Sequence, residues 1–141
     1  MHHILSRLVP QSVKNSLYHW PLAIIAAVYF GFPGRQLRVI GITGTNGKTT
    51  TTQFIARILE RSNKKVAMAS TINFQIGEKK WTNASKFTTL SPWKLQKFLH
   101  DAVAAGCEYA VIETSSHALD QGRVSGIPYE IAVMTNVTRE H

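Results

Sequence analysis

From residue 37 onward, apolar and polar positions fall into blocks that switch between two periods. Residues 37–43, with Val39, Ile40 and Ile42 at their centre, read as a buried strand, and residues 48–61 follow with Phe54, Ile55, Ile58 and Leu59 at helical spacing. Residues 66–70 read as a second short strand, and residues 73–81 as a hairpin about Ile76-Gly77-Glu78. Pro92 suits the first turn of a helix that carries Trp93, Leu95, Phe98, Leu99 and Val103 and stops near Gly106. Residues 109–113 and 131–135 complete the strands. Strands separated by helices predict an α/β fold, a mainly parallel sheet with flanking helices.

The first 36 residues follow a different pattern. The 20 residues between Lys14 and Arg35 contain no Asp, Glu, Lys or Arg, and residues 21–30 are almost wholly apolar. A spanning helix needs roughly 20 mostly apolar residues, whereas Asn15, Ser16 and His19 shorten this one. Two readings stay open. Basic flanks (Arg7, Lys14, Arg35, Arg38) and terminal aromatics (Tyr18, Trp20, Tyr29, Phe30) suit a helix that lies in a membrane interface through residues 15–34 or crosses it marginally. A helix packed in the core or against a partner predicts much the same string. A cleaved signal peptide fits less well, because export would separate the domain from its nucleotide. Gly31-Phe-Pro-Gly34 reads as a turn, which divides the chain into an apolar, basic leader (1–36) and a compact domain (37–141).

With 141 residues the chain can bury one core. Sixteen Lys and Arg against eight Asp and Glu give a net charge of +8, and no acidic residue precedes Glu60. Such a balance favours anionic partners. Without an arginine-rich run, an interleaved basic and aromatic stripe or a CxxC pair, nucleic acid is disfavoured among them. The single cysteine, Cys107, excludes an internal disulfide and reads as a small buried apolar residue in a reducing, cytoplasmic setting.

The chemistry concentrates where the first strand meets its helix. A loop that wraps phosphate needs glycines to bring backbone N–H groups close, a lysine to neutralise charge and a hydroxyl for Mg²⁺. Gly44, Gly47, Lys48 and Thr49 supply these, although the strict pattern would place its first glycine where Ile42 stands. Such a loop works with an acid at the end of a neighbouring apolar strand, and Glu113 closes Tyr109-Ala-Val-Ile-Glu113. The polar cluster Thr114-Ser-Ser-His117 follows, where strand ends face ligand in open α/β sheets. His117 could contact ligand or cap a helix.

Taken together, three motifs resemble the Mur ligases, over about three quarters of the chain from residue 37 to 141. They are Gly44-Thr-Asn-Gly-Lys-Thr-Thr50, Glu113-Thr-Ser-Ser-His-Ala-Leu119 with Gln121 and Arg123, and Thr135-Asn-Val-Thr-Arg-Glu-His141. The first is the family's own form of the loop and accounts for Ile42. In this order they look most like the MurE type, which adds the third amino acid to UDP-N-acetylmuramoyl-L-alanyl-D-glutamate. The resemblance implies an ATP-dependent amide-forming ligase of peptidoglycan precursor synthesis. The substrate carboxylate is phosphorylated, and the acyl phosphate is attacked by the incoming amine. It implies that Gly44, Thr45, Asn46, Gly47, Lys48, Thr49 and Thr50 bind ATP, with Lys48 and the loop amides on the β and γ phosphates. It places one Mg²⁺ on Thr49 and Glu113 and a second at His141. Thr88, Thr89, Ser115, Gln121 and Arg123 fall where such enzymes hold the UDP-muramoyl peptide.

Glu140 stands where the family usually has Asp, and Thr114 replaces a more usual apolar residue. The family's uridine-binding first domain, its carbamylated lysine and its C-terminal domain have no counterpart in these 141 residues, so the chain is expected to be inactive alone. The alternatives are a membrane-associated ATP-binding module without ligase activity, a MurT-like ligase and a folylpolyglutamate synthase-like ligase. Thr49 argues against the last, whose loop lysine is typically followed by Gly.

Overall fold

A computed structural model describes residues 11–85 and 87–138. Helix α1 (Gln11–Tyr29) and a 3-10 turn (Pro33–Gln36) lead into β1 (Arg38–Thr43), α2 (Lys48–Arg61), β2 (Val66–Ala69), β3 (Asn73–Ile76) and β4 (Lys79–Thr82). The chain continues through α3 (Pro92–Ala104), β5 (Tyr109–Glu113), α4 (Ser116–Asp120) and β6 (Tyr129–Met134). The six strands form one sheet in the order β4-β3-β2-β5-β1-β6. Strands β2, β5, β1 and β6 run parallel, while β3 and β4 join antiparallel through the turn at Gly77 and Glu78. The α/β reading of the sequence therefore holds. The last strand begins at Tyr129, two residues before the apolar pattern suggested, because Tyr129 pairs with Val39 in the sheet.

Alternation along the parallel strands sorts side chains onto two faces. Val39, Ala67, Ala69, Ala110 and Ile112 point to one side, where Leu95, Phe98, Leu99 and Ala102 of α3 cover them. Ile40, Ile42, Val66, Met68 and Val111 point to the other, against Ile55, Ala56 and Leu59 of α2. Strands buried on both faces are nearly continuous apolar runs, as parallel strands between two helical layers require. Cys107 is buried in the first of these cores, and burial pushes its thiol pKa up.

Helix α1 lies over α3. Ala23, Ala26 and Ala27, spaced so that they share one helical face, are fully buried. Small side chains there let the two helices approach closely, and Tyr29 and Phe30 pack on Trp93 at the end of the contact. The opposite face leaves Leu17, Tyr18, Ile25 and Val28 exposed. Among the described residues no helix is long and apolar enough to cross a membrane, which removes the marginally crossing form of the leader. The apolar run is too short, because polar residues enter its first two turns.

The packing of α1 predicts an asymmetry between neighbouring positions. Ala26→Leu inserts volume into the α1–α3 contact and should lower unfolding free energy by about 1–3 kcal/mol. Ile25→Ala, on the exposed face, should change it by less than about 0.5 kcal/mol. Urea denaturation followed by circular dichroism checks both, and equal effects would contradict the packed arrangement.

Candidate functional site

All four parallel strands end on the same side, which brings the loops after β1, β2, β5 and β6 together. β1 connects through α2 to β2 on one side, and β5 connects through α4 to β6 on the other. The crevice between β1 and β5 is thus a switch point, where open α/β sheets bind ligands. Ile42 lies opposite Glu113 in the register, so the phosphate-type loop and the acid emerge side by side.

The loop turns through two glycines with positive φ, Gly44 at 133° and Gly47 at 82°, and α2 begins at Lys48. Lys48 folds back over it, its Nζ donating to the carbonyls of Gly44 (2.8 Å) and Thr45 (3.1 Å). Thr49 Oγ1 lies 3.0 Å from both carboxyl oxygens of Glu113. Glu113 is 2% exposed. Thr71, just beyond β2, donates to it from its backbone N–H (2.8 Å) and its hydroxyl (2.9 Å). Thr49 and Glu113 therefore bring a hydroxyl and a carboxyl together beside the loop lysine, an all-oxygen donor set of the kind Mg²⁺ takes. Among the described residues no group of three or more His, Cys, Asp and Glu could hold a metal. His141, expected at a second metal, lies outside the described residues.

The segment after β6 holds the loop from the other side. Asn136 accepts from the N–H of Thr45 through its carbonyl (3.1 Å) and from the N–H of Asn46 through Oδ1 (2.9 Å). Thr135 Oγ1 donates to the Asn46 carbonyl (2.6 Å), and Thr138 N–H donates to Thr45 Oγ1 (3.1 Å). Of the seven residues from 44 to 50, Thr45 and Asn46 thus have amides already engaged. The N–H groups of Lys48, Thr49 and Thr50 open the first turn of α2, where a helix has no internal acceptors for them.

A cleft of about 470 Å³ runs from Gly44 and Lys48 to Thr88, Ser115 and His117. Thr88 lines it. Thr89 is buried instead, its Oγ1 accepting from Ser115 N–H (3.0 Å) and so tying the loop before α3 to the end of β5. Ser115 caps α4, its Oγ accepting from Ala118 N–H (3.2 Å). His117, left between two roles by its sequence, is not the cap and lines the cleft. Gln121 and Arg123 are not part of this cleft: they follow α4 at its far end, beside α1. A larger hollow of about 860 Å³ lies around Lys64, Lys65, Gly77 and Glu78 and includes none of the loop residues. The smaller cleft has the chemistry.

Behind the site, the Tyr129 phenol meets the Thr114 hydroxyl at 3.3 Å, and burial pushes its pKa up to about 12. Tyr129 is therefore protonated at neutral pH. Its ring fills the space beside Gly41, where an added Cβ would come within 2.6 Å of it. Thr71 and Asn136 escaped the sequence reading. Thr71 carries no local signal, since only the pairing of β2 with β5 brings it to Glu113. Asn136 stands in a motif that was noticed, but its contact with the loop depends on β6 pairing with β1.

The profile of the Mur ligase middle domain matches residues 42–141. The chain is 47% identical over 122 residues to the UDP-N-acetylmuramyl-tripeptide synthetase of Roseiflexus sp. (strain RS-1), covering 85% of this chain and 24% of that protein. It is 42% identical over 120 residues to a UDP-N-acetylmuramoyl-L-alanyl-D-glutamate--2,6-diaminopimelate ligase of Geobacillus kaustophilus (strain HTA426), with the same coverage. A solved structure of a UDP-N-acetylmuramoyl-L-alanyl-D-glutamate--2,6-diaminopimelate ligase shares 40% identity at a TM-score of 0.64, over 74% of this chain and 21% of that one. The chain thus spans about a quarter of the length of the relatives it matches. With the loop, its acid and the cleft in place, the match assigns this chain to the Mur ligase family, through that family's middle domain.

Proposed function

We propose that this chain forms the ATP-binding part of a ligase that joins an amino acid to UDP-N-acetylmuramoyl-L-alanyl-D-glutamate. The observation that carries the reading is the convergence of Lys48, Thr49 and Glu113 at the mouth of α2, at one end of the cleft that Thr88 and Ser115 line. Relatives whose names state this reaction support the substrate class.

Each residue has a part in such a reaction. The N–H groups of residues 47–50 point where a helix start attracts phosphate oxygens. Lys48 exchanges its loop carbonyls for the β and γ phosphates and neutralises charge as the phosphoryl group passes to the substrate carboxylate. Thr49 and Glu113 would hold Mg²⁺, which supplies further neutralisation of the phosphates. Thr88 and Ser115 border the far end of the cleft, where the carboxylate of the acceptor would meet the γ phosphate. The resulting acyl phosphate then forms the amide as the amine attacks its carbonyl carbon and phosphate leaves. Catalysis of this type rests on alignment and electrostatics rather than on a protein nucleophile. The setting for ATP and a uridine-linked substrate is the cytoplasm.

The exposed apolar face of α1 favours a second reading, a membrane-associated ATP-binding module in which residues 15–34 rest on a lipid surface. Sedimentation with anionic vesicles would support it, and a chain that stays in the supernatant at low salt would remove it.

Titration with ATP·Mg²⁺ tests the main reading. Lys48→Ala should weaken affinity about tenfold or more, the expected loss of charged hydrogen bonds. Equal affinity in the variant and the wild type would remove the phosphate-loop assignment. Asn136→Ala removes the side-chain contacts to Asn46 while the backbone bond to Thr45 stays, and should weaken affinity roughly threefold to tenfold while the melting temperature changes little. Unchanged affinity there would show that the loop keeps its shape without the Asn136 side chain.

A further inference from the structure

A groove of about 450 Å³ lies between the β3–β4 hairpin and α3, outside the cleft at Lys48. Phe74 pairs with Trp81 across the hairpin and Ile76 with Lys79, so alternation turns all four side chains toward α3. Opposite them stands Phe98, with Lys94 and Asp101 one turn to either side of it on the helix. The volume is that of a small-molecule pocket.

The floor of the groove is aromatic and its rim is cationic. Ring centroids lie 5.8 Å apart between Phe74 and Trp81, 6.0 Å between Phe74 and Phe98, and 6.5 Å between Trp81 and Phe98. Phe74 and Phe98 are buried, while Trp81 keeps part of its ring exposed. Lys79 Nζ stands 5.5 Å from the Trp81 ring centroid. Lys97 is paired with Asp101 at 2.6 Å, whereas among the described residues neither Lys79 nor Lys94 pairs with a carboxylate. Two uncompensated ammonium groups beside an open indole fit a planar ring that carries phosphates. The ring stacks on the aromatic face and the lysines bond the phosphate oxygens.

The groove also adjoins the cleft. Thr88 lines the cleft and Leu90 lines the groove, so the loop before α3 carries one wall into the other within two residues, at most about 7 Å. Thr89 between them is tied to Ser115 and to the Glu113 carbonyl, which fixes the step. From there the groove follows α3 from Lys94 to Asp101, roughly 10 Å. A ligand whose carboxylate lies at Thr88 and Ser115 therefore has a route outward to Trp81. The acceptor named above carries a uracil ring and a pyrophosphate at the end remote from that carboxylate.

We propose that the groove between the β3–β4 hairpin and α3 binds the uridine diphosphate end of the acceptor, with the uracil stacked on Trp81 and the pyrophosphate held by Lys79 and Lys94. The assignment rests on the acceptor reading above and adds to it a second site, distinct from the cleft.

Titrations of the full chain with UDP-N-acetylmuramoyl-L-alanyl-D-glutamate, UDP and uridine test the groove, by calorimetry and by tryptophan fluorescence, with ADP·Mg²⁺ held at a saturating level to fill the loop at Lys48. UDP and the acceptor should quench tryptophan emission. Trp81→Leu should remove most of that quenching and weaken both ligands roughly tenfold. Lys94→Gln should weaken UDP roughly threefold and leave uridine unchanged. Lys80→Gln, on the same strand with its side chain on the other face, should change neither. Acceptor affinity that is equal in Trp81→Leu and wild type overturns the groove and leaves the acceptor reading standing. A loss confined to UDP, with the whole acceptor unaffected, also overturns it, because the groove then takes a free nucleotide. A loss in Lys80→Gln as large as that in Lys94→Gln overturns it as well, since net charge alone explains both. If circular dichroism shows that Trp81→Leu does not fold, the Lys94→Gln contrast between UDP and uridine decides, and its absence overturns the groove. A wild-type chain that binds ADP·Mg²⁺ and none of the uridine ligands overturns the acceptor reading and the groove with it.

Discussion

A Cβ on residue 44 would stand 2.1 Å from Thr135 Oγ1 and within 3.0 Å of the backbone of Asn136, so the turn after β1 and the segment after β6 share space only because residue 44 is glycine. That close approach organises the site. It lets Thr135 and Asn136 bond both sides of Asn46 and fixes the corner of the loop. With that corner held, the next turn delivers Lys48 and Thr49 to the start of α2, facing Glu113. Parallel pairing of β1 with both β5 and β6 makes the approach possible, because it places three strand ends in one row.

The buried acid depends on the same arrangement. Glu113 sits at the end of a strand enclosed on both faces, where an unpaired carboxyl would be costly. Hydroxyls from Thr49 and Thr71 and the Thr71 amide surround it. The acid is thereby held in one orientation, with Thr49 between it and the phosphate side of the loop. Surface pairs contribute little to this. The Arg38–Glu130 ion pair lies at the opposite end of β1 and β6, is exposed on both sides, and belongs to a class worth at most about 1 kcal/mol.

Much of this was legible because it is local. The Gly44–Thr50 loop, the boundaries of α2 and the acid at the end of β5 are set by neighbouring residues, through glycine conformations, helical spacing and an apolar run. The extent of helix α4 was not legible, since five residues are too few to show a period. The apolar face of α1 was visible, yet its packing was not, because a buried alanine stripe and a lipid-facing helix look alike in composition. Thr88 and Ser115 line one cleft, with Thr89 bonded to Ser115 from behind it. Gln121 and Arg123 ended outside the cleft for a reason no spacing reveals, namely that the turn after α4 rests on α1. Thr71 and Asn136 belong to the same class: their roles are tertiary, created by strand order.

The central claim is that phosphates sit on the amides at the start of α2 while Asn136 retains the corner before them. Amide chemical shifts of the ¹⁵N-labelled chain, followed as ATP·Mg²⁺ is added, test it most directly. The account predicts large changes at Gly47, Lys48, Thr49 and Thr50, with the Thr45 and Asn46 amides staying protected from solvent exchange. Changes centred on Lys64, Lys65 and Gly77, around the larger hollow at the other end of the sheet, would contradict it.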